Sequence, residues 1–116
     1  MAKFLLLFRG GIIPQDKKEQ SIKDRLEWMN NLRSSGNFID GSPLLPTGKI
    51  IDKNTADFVH ENDSINGYAI INTENINEAE QLSKPAPQLR PEYGSAELEI
   101  RPLQPIGIND SSNEVR

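Results

Sequence analysis

The residues with the strongest claim to chemistry are one histidine, two arginines, one aspartate and two aromatic side chains. Asp40 and His60 form the sharpest acid–base combination. Imidazole titrates near neutral pH, and a carboxylate beside it can orient the ring and share its proton, so such a pair can act as a relay. Each residue also has a simpler use. An Asp ahead of Gly41 and Ser42 commonly accepts bonds from the amides of its own turn, and His60 can sit on the surface of a strand. Arg9 and Arg101 fall at the ends of expected strands, where two guanidinium groups suit a carboxylate or phosphate. Pairing with Glu97, Glu99 or a second chain is the competing use. Trp28 and Tyr68 can wall an apolar pocket with a polar tip, or fill a core or an interface. The ligand-binding candidates are therefore Arg9, Trp28, Asp40, His60, Tyr68 and Arg101, and none of them carries an assigned catalytic role.

Other chemistries find little support. Lys49 follows Gly48, but the GxxxxGK[ST] spacing is missing and a strand-like run follows, so a phosphate loop is not expected. The chain has no cysteine and one histidine, which leaves no thiolate nucleophile or disulfide. With one histidine, no cysteine and no close carboxylate cluster, a metal site is not expected, and no cofactor is expected.

Positioning these groups falls to a short series of elements. Residues 4–8, FLLLF, form a continuous apolar run of strand length. Such a run suits a strand covered on both faces, by helices on one side and by a partner subunit on the other. Asp16 and Glu19 mark a helix start, with Ser21 and Asp24 as a rival cap one turn later. Ile22, Leu26, Met29 and Leu32 then line one helical face, with Trp28 off its centre. Gly36 stops that helix, giving a first helix over residues 16–35. Phe38 and Ile39 run into a turn at residues 40–43, and a second turn at 46–48 launches an expected hairpin of residues 48–52 and 56–60. A polar turn is expected at 61–64. The strongest strand is 67–73, GYAIINT, rich in β-branched residues. Asn75, with Glu78 three residues on, caps a second helix over 76–83, its inner face drawn from Ile76, Ala79 and Leu82. In the last strand Ala96, Leu98 and Ile100 alternate with Glu97, Glu99 and Arg101.

The order strand, helix, strands, strand, helix, strand predicts an α+β fold on the ferredoxin-like, split βαβ plan. Its antiparallel sheet carries two helices on one face, with an extra β-hairpin. At 116 residues this is one domain with a modest core, taken as residues 1–104, followed by a polar C-terminal tail over 105–116. Apolar residues make up 35% and mean hydropathy is -0.58. Both are low for a globular chain, and association of two copies through the bare sheet face would add to the buried core. A net charge of -4 argues against nucleic acid. The apolar run near the N-terminus is shorter than a secretory signal core, and nothing approaches a membrane span, so a cytoplasmic protein is expected, with no membrane partner.

The ordered set of short motifs resembles the YCII-related proteins, including the branch named for a DGPF motif. The matching pieces are KFLLL at 3–7, Trp28, Gly36, DGSPL at 40–44 and GK at 48–49, then GYAII at 67–71, the proline-flanked 85–87 and EIRP at 99–102. Together they span residues 1–103. The resemblance implies a ferredoxin-like fold and a dimeric α/β barrel built by joining two sheets. It implies little about activity. Some members are similar to an enzyme in carrying a His and an Asp in one cleft. Here the first helix has no histidine, His60 comes later, and residues 61–67 replace the DGPF-type loop, so no catalytic residue carries over. The leading expectation is a homodimeric domain that binds a small ligand or a partner. The alternatives are a small enzyme of the monooxygenase or isomerase type and a structural or regulatory interaction module.

Overall fold

The computed structural model describes residues 1–53, 56–59 and 65–106. In chain order these form β1 (Ala2–Arg9), α1 (Lys18–Ser34), β2 (Phe38–Pro43), β3 (Gly48–Ile51), β4 (Ala56–Val59), β5 (Ile65–Thr73), α2 (Ile76–Ser83) and β6 (Glu97–Pro102). A four-stranded sheet has the order β2-β5-β1-β6, with every neighbour antiparallel. β3 and β4 form a separate two-stranded hairpin. This is the ferredoxin-like arrangement that the element order predicts. β1 and β2 run parallel with β5 between them, and β5 and β6 run parallel with β1 between them. The two crossovers step across the sheet in opposite directions on strands of opposite sense. Right-handed connections therefore bring both helices to the same face.

Strand alternation defines that face. Phe4, Leu6 and Phe8 of β1 and Ala69 and Ile71 of β5 form one buried cluster with Trp28 and Leu32 of α1 and Ala79 of α2. Leu98 and Ile100 pack against it from β6. The opposite face shows Leu5, Leu7, Tyr68 and Ile70, all half-buried, with Glu97, Glu99 and Arg101 at the β6 side. No helix covers it among the described residues.

The three helix ends read from the sequence differ in how far they follow it. Asn75 Oδ1 accepts the Glu78 amide at 2.9 Å, while Glu78 Oε1 accepts the Glu74 amide at 2.9 Å. At the end of α1, Gly36 adopts φ +81°. Its amide donates to Arg33 O and the Asn37 amide to Leu32 O, the paired bonds of a Schellman termination. The start of α1 departs from expectation. A 3₁₀ turn, Gln15–Lys17, leads into the helix and Lys17 stands at the cap without a side-chain bond. Neither Asp16 nor Ser21 caps it; Ser21 is buried inside the helix. Pro14 starts the 3₁₀ turn by accepting the Lys17 amide, so the chain enters α1 through a turn instead of a cap.

Three further expectations are corrected. The inward stripe of α1 is rotated: Ser21, Trp28 and Leu32 are buried, whereas Ile22 and Leu26 are 51% and 53% exposed. The large indole outweighs two aliphatic side chains in choosing which side of the helix meets the sheet. Residues 40–43 form no turn but pair with β5, Asp40 opposite Ile70 and Gly41 opposite Ala69, after a bulge next to Phe38. Turn-forming residues are tolerated there because β2 is an edge strand, where Pro43 leaves no ladder bond unmade. Ile76, expected inside, is 45% exposed. The expected polar turn at 61–64 lies outside the described residues, as does the tail from residue 107 onward.

Leu6 is fully buried at the centre of the cluster. Leu6→Ala should lower the unfolding free energy by about 2–5 kcal/mol. Asn75→Ala should lower it by about 1 kcal/mol through loss of the cap. Denaturant titration of each variant against the parent checks both.

Candidate functional site

The structure places the sequence-derived candidates on two faces of the sheet. Arg9, Asp40, Tyr68 and Arg101 belong to the bare face by strand alternation. Trp28 lies on the helix side, edge-on to Phe8 at 6.1 Å between ring centroids and 89° between planes. Its indole N–H donates to Leu82 O at 3.1 Å. A single cleft lined by Arg9, Trp28, Asp40 and Arg101 is therefore not formed. His60 lies outside the described residues, and with it the Asp40–His60 pair.

On the bare face the two arginines do meet at one carboxylate, which belongs to the chain itself. Arg9 donates to Glu99 Oε1 through Nη2 at 2.7 Å and Nε at 3.3 Å, and Arg101 Nη1 donates to Glu99 Oε2 at 2.9 Å. These bonds and the two positive charges hold the Glu99 carboxyl below its ordinary value. Asp40 spends one oxygen on the Gly41 amide at 2.9 Å, the local use foreseen for it. The other accepts the Tyr68 hydroxyl at 3.0 Å, and this bond to a carboxylate raises the Tyr68 phenol.

An apolar concavity lies on the opposite side of the sheet. A cleft of about 360 Å³ opens between α1 and the β2–β5 side of the sheet. Its wall is the outer apolar edge of α1, the exposed Ile22 and Leu26 with Met29, which also packs against the core, and its floor includes Gly41, Gly67 and Ala69. These three are small residues at helix-facing positions. A longer side chain at 67 or 69 would fill the space that is now open. Phe8 and Trp28 close the inner end. The polar groups that border the cleft are mostly committed elsewhere. Trp28 bonds Leu82, the Asn66 amide donates to Gly10 O at 2.6 Å, and the Ser42 hydroxyl donates to Pro43 O at 2.9 Å. Two groups are left. Arg25 Nε makes a long 3.4 Å bond to Ser21 O, and Gln88 Oε1 is buried with no hydrogen-bond partner among the described residues.

Sequence reasoning named two residues that line this cleft, Trp28 and Tyr68, but missed its outer wall because Ile22 and Leu26 read as core. The signal that could have found the cleft is the small-large-small run Gly67, Tyr68, Ala69, which leaves the helix-facing side of a strong strand without bulk. A second, more polar groove lies between the helices, bordered by Asp24, Asn31, Gln81, Pro85 and Arg90. There Asp24 accepts the Tyr93 hydroxyl at 2.6 Å, the Gln20 amide at 2.8 Å and Arg90 at 3.1 Å. This clasp ties α1 to the chain after α2. The Tyr93 bond leads in holding the Asp24 carboxyl below its ordinary value, and the same bond raises the Tyr93 phenol.

No helix in the described residues is long and apolar enough to cross a membrane, and no His, Cys, Asp or Glu group there could hold a metal ion. No protein-family model and no curated protein matches the chain. Among solved structures, it is similar to 5-chloro-2-hydroxyhydroquinone dehydrochlorinase from Burkholderia phenoliruptrix, solved in complex with 2,5-dihydroxybenzoquinone. The identity is 15%, with 96% of this chain and 99% of that chain covered at a TM-score of 0.47.

Asp24 and Glu99 titrate below their ordinary values in the folded chain. Their contribution to stability is therefore complete above the ordinary carboxylate range, about pH 4, and is lost as pH falls through the lowered folded values. The thermal midpoint should drop on acidification through this window. Tyr93→Phe should begin lower at pH 7 and lose less over the same interval, as thermal melts across a pH series will show. Above about pH 10 the Tyr93 bond should fail in the opposite sense, once the raised phenol ionises.

Proposed function

We propose that this chain is a YCII-related domain that binds a small molecule in the cleft between α1 and the β2–β5 side of the sheet. The observation that carries this reading is the pairing of an exposed apolar helix edge with a floor of small residues. Ile22 and Leu26 stand about half exposed over Gly41, Gly67 and Ala69, so apolar surface is held open where packing would otherwise close it. The volume falls at the lower end of the roughly 300–1,000 Å³ typical of small-molecule sites. The ordered motifs from KFLLL at 3–7 to EIRP at 99–102 support the kinship, as does the ferredoxin-like strand order. The enzymatic alternative has less behind it. Asp40 is bonded to Tyr68 and Gly41 and faces away from the cleft.

The bare sheet face supports association of two copies. Leu5, Leu7 and Ile70 form an apolar centre, bordered by the Arg9–Glu99–Arg101 cluster on one side and Asp40 on the other. An apolar centre within a polar rim is the usual anatomy of a protein interface.

Trp28 is the single tryptophan and borders the cleft, so its emission reports occupancy. A thermal-shift panel of small aromatic and aliphatic metabolites should contain compounds that raise the midpoint and alter Trp28 fluorescence. Gly67→Val should abolish both responses by filling the floor. An added Cβ at 67 meets only ordinary contacts, the nearest being Ser42 O at 3.4 Å. Responses that persist in Gly67→Val would refute the cleft as the site, and so would a panel without any response. Light scattering should return twice the 13.0 kDa chain mass, and Leu7→Glu should return the single mass. A wild-type monomer at high concentration would refute the dimer.

A further inference from the structure

We infer that the cleft selects a small organic acid, an apolar body carrying one anionic group that is read by Arg25 with the Gln88 amide as second polar contact. The inference rests on the cleft being a ligand site and names the class of molecule it takes.

Charge is the first support. The chain carries a net charge of -4, yet Arg25 is the only ionisable cation or carboxylate among the described residues that line the cleft. The acidic neighbours on α1 turn elsewhere: Asp24 and Glu27 border the other groove, and Asp24 is already bonded to Arg90 and Tyr93. Consecutive positions on one helix thus send the carboxylate to one side and the guanidinium to the other. Arg25 is half-buried and makes no ion pair among the described residues. Its only hydrogen bond there is the long one to Ser21 O, so most of its donors remain available. Arg9, Arg90 and Arg101, by contrast, each have a carboxylate. A guanidinium fork beside an apolar wall is well matched to a carboxylate, which it can grip with two parallel bonds.

Gln88 is the second support. A buried side-chain oxygen without a partner is uncommon and costly in a folded protein. That oxygen is itself closed off, but Gln88 lines the cleft, so a turn of its side chain would bring the amide to a bound molecule. The amide can present either its oxygen or its nitrogen by rotation, so it can read a hydroxyl or the second oxygen of the acid. Ile22, Leu26, Met29 and Phe8 offer only apolar contact, and Ser42, Asn66 and Tyr68 bring polar groups already bonded elsewhere, so the body of the ligand is hydrocarbon or aromatic.

A matched pair of probes tests this on the full chain: 4-phenylbutyrate and its neutral amide, 4-phenylbutanamide, titrated against Trp28 fluorescence. The acid should bind about tenfold or more tightly than the amide, as expected of a charge-assisted bond. Arg25→Gln should remove that advantage by weakening the acid far more than the amide, and Gln88→Leu should weaken the acid. Each variant's thermal midpoint confirms that it folds. Equal binding of acid and amide, or an acid advantage that survives Arg25→Gln, would overturn the inference. The cleft reading would still stand in that case, provided Gly67→Val and Leu26→Ser weaken both probes; the exposed Leu26 makes the second variant safe for folding. Binding of neither probe, or binding indifferent to both cleft variants, would overturn the inference and the cleft reading together.

Discussion

Trp28 is the contact on which the rest of the structure depends. Its ring meets Phe8 edge-on, which seats α1 on the central strand β1. Its N–H reaches the Leu82 carbonyl, which ties α1 to the last turn of α2. One side chain thus joins sheet, first helix and second helix, and its polar atom is satisfied where an unmet N–H would be costly. The consequence for α1 is a rotation. With Trp28 and Leu32 turned to the sheet, Ile22 and Leu26 come out at the helix edge. The cleft is a by-product of that choice.

The sheet separates the chain's polar chemistry into two regions. On the bare face, two arginines share Glu99 and a tyrosine bonds Asp40, so the charges are mutually satisfied. These groups are partly or largely exposed, and exposed pairs of this kind contribute little to stability. They set the polarity of a rim around Leu5, Leu7 and Ile70. On the helix side the balance is reversed: the surroundings are apolar, and among the described residues Arg25 makes only its long bond to Ser21 O and the Gln88 oxygen has no partner. Ligand recognition needs groups whose bonds are still to be made, which is why the more conspicuous arginines are the poorer candidates.

Edge strand β2 shows how tertiary pairing overrides local preference. DGSP at 40–43 carries the residues of a turn, yet it is drawn out along β5. Asn37 and Asn72 secure its start through reciprocal bonds, Asn72 N–H to Asn37 O and Asn37 Nδ2 to Asn72 O, both at 2.8 Å. Arg33 covers Phe38 from α1 at 4.8 Å. Extending this segment places Gly41 opposite Ala69, where a side chain would press on β5, an added Cβ meeting Tyr68 O at 3.0 Å.

The sequence by itself determined the element order, and with it the ferredoxin-like sheet. Alternation in ELEIR, the β-branched run of AIINT, the Asn75 cap and the Gly36 stop are local signals, and local signals survive folding because they act within a few residues. It also set which chemistries are absent for want of cysteine. Only the tertiary structure decided which side of α1 faces inward, because a helix with apolar residues around more than one face has no unique burial direction until a sheet is laid against it. It likewise decided that Trp28 and the two strand-end arginines lie on opposite sides of the sheet. Arg25 and Gln88, 63 residues apart in sequence, are brought to one cleft by packing that no local pattern encodes.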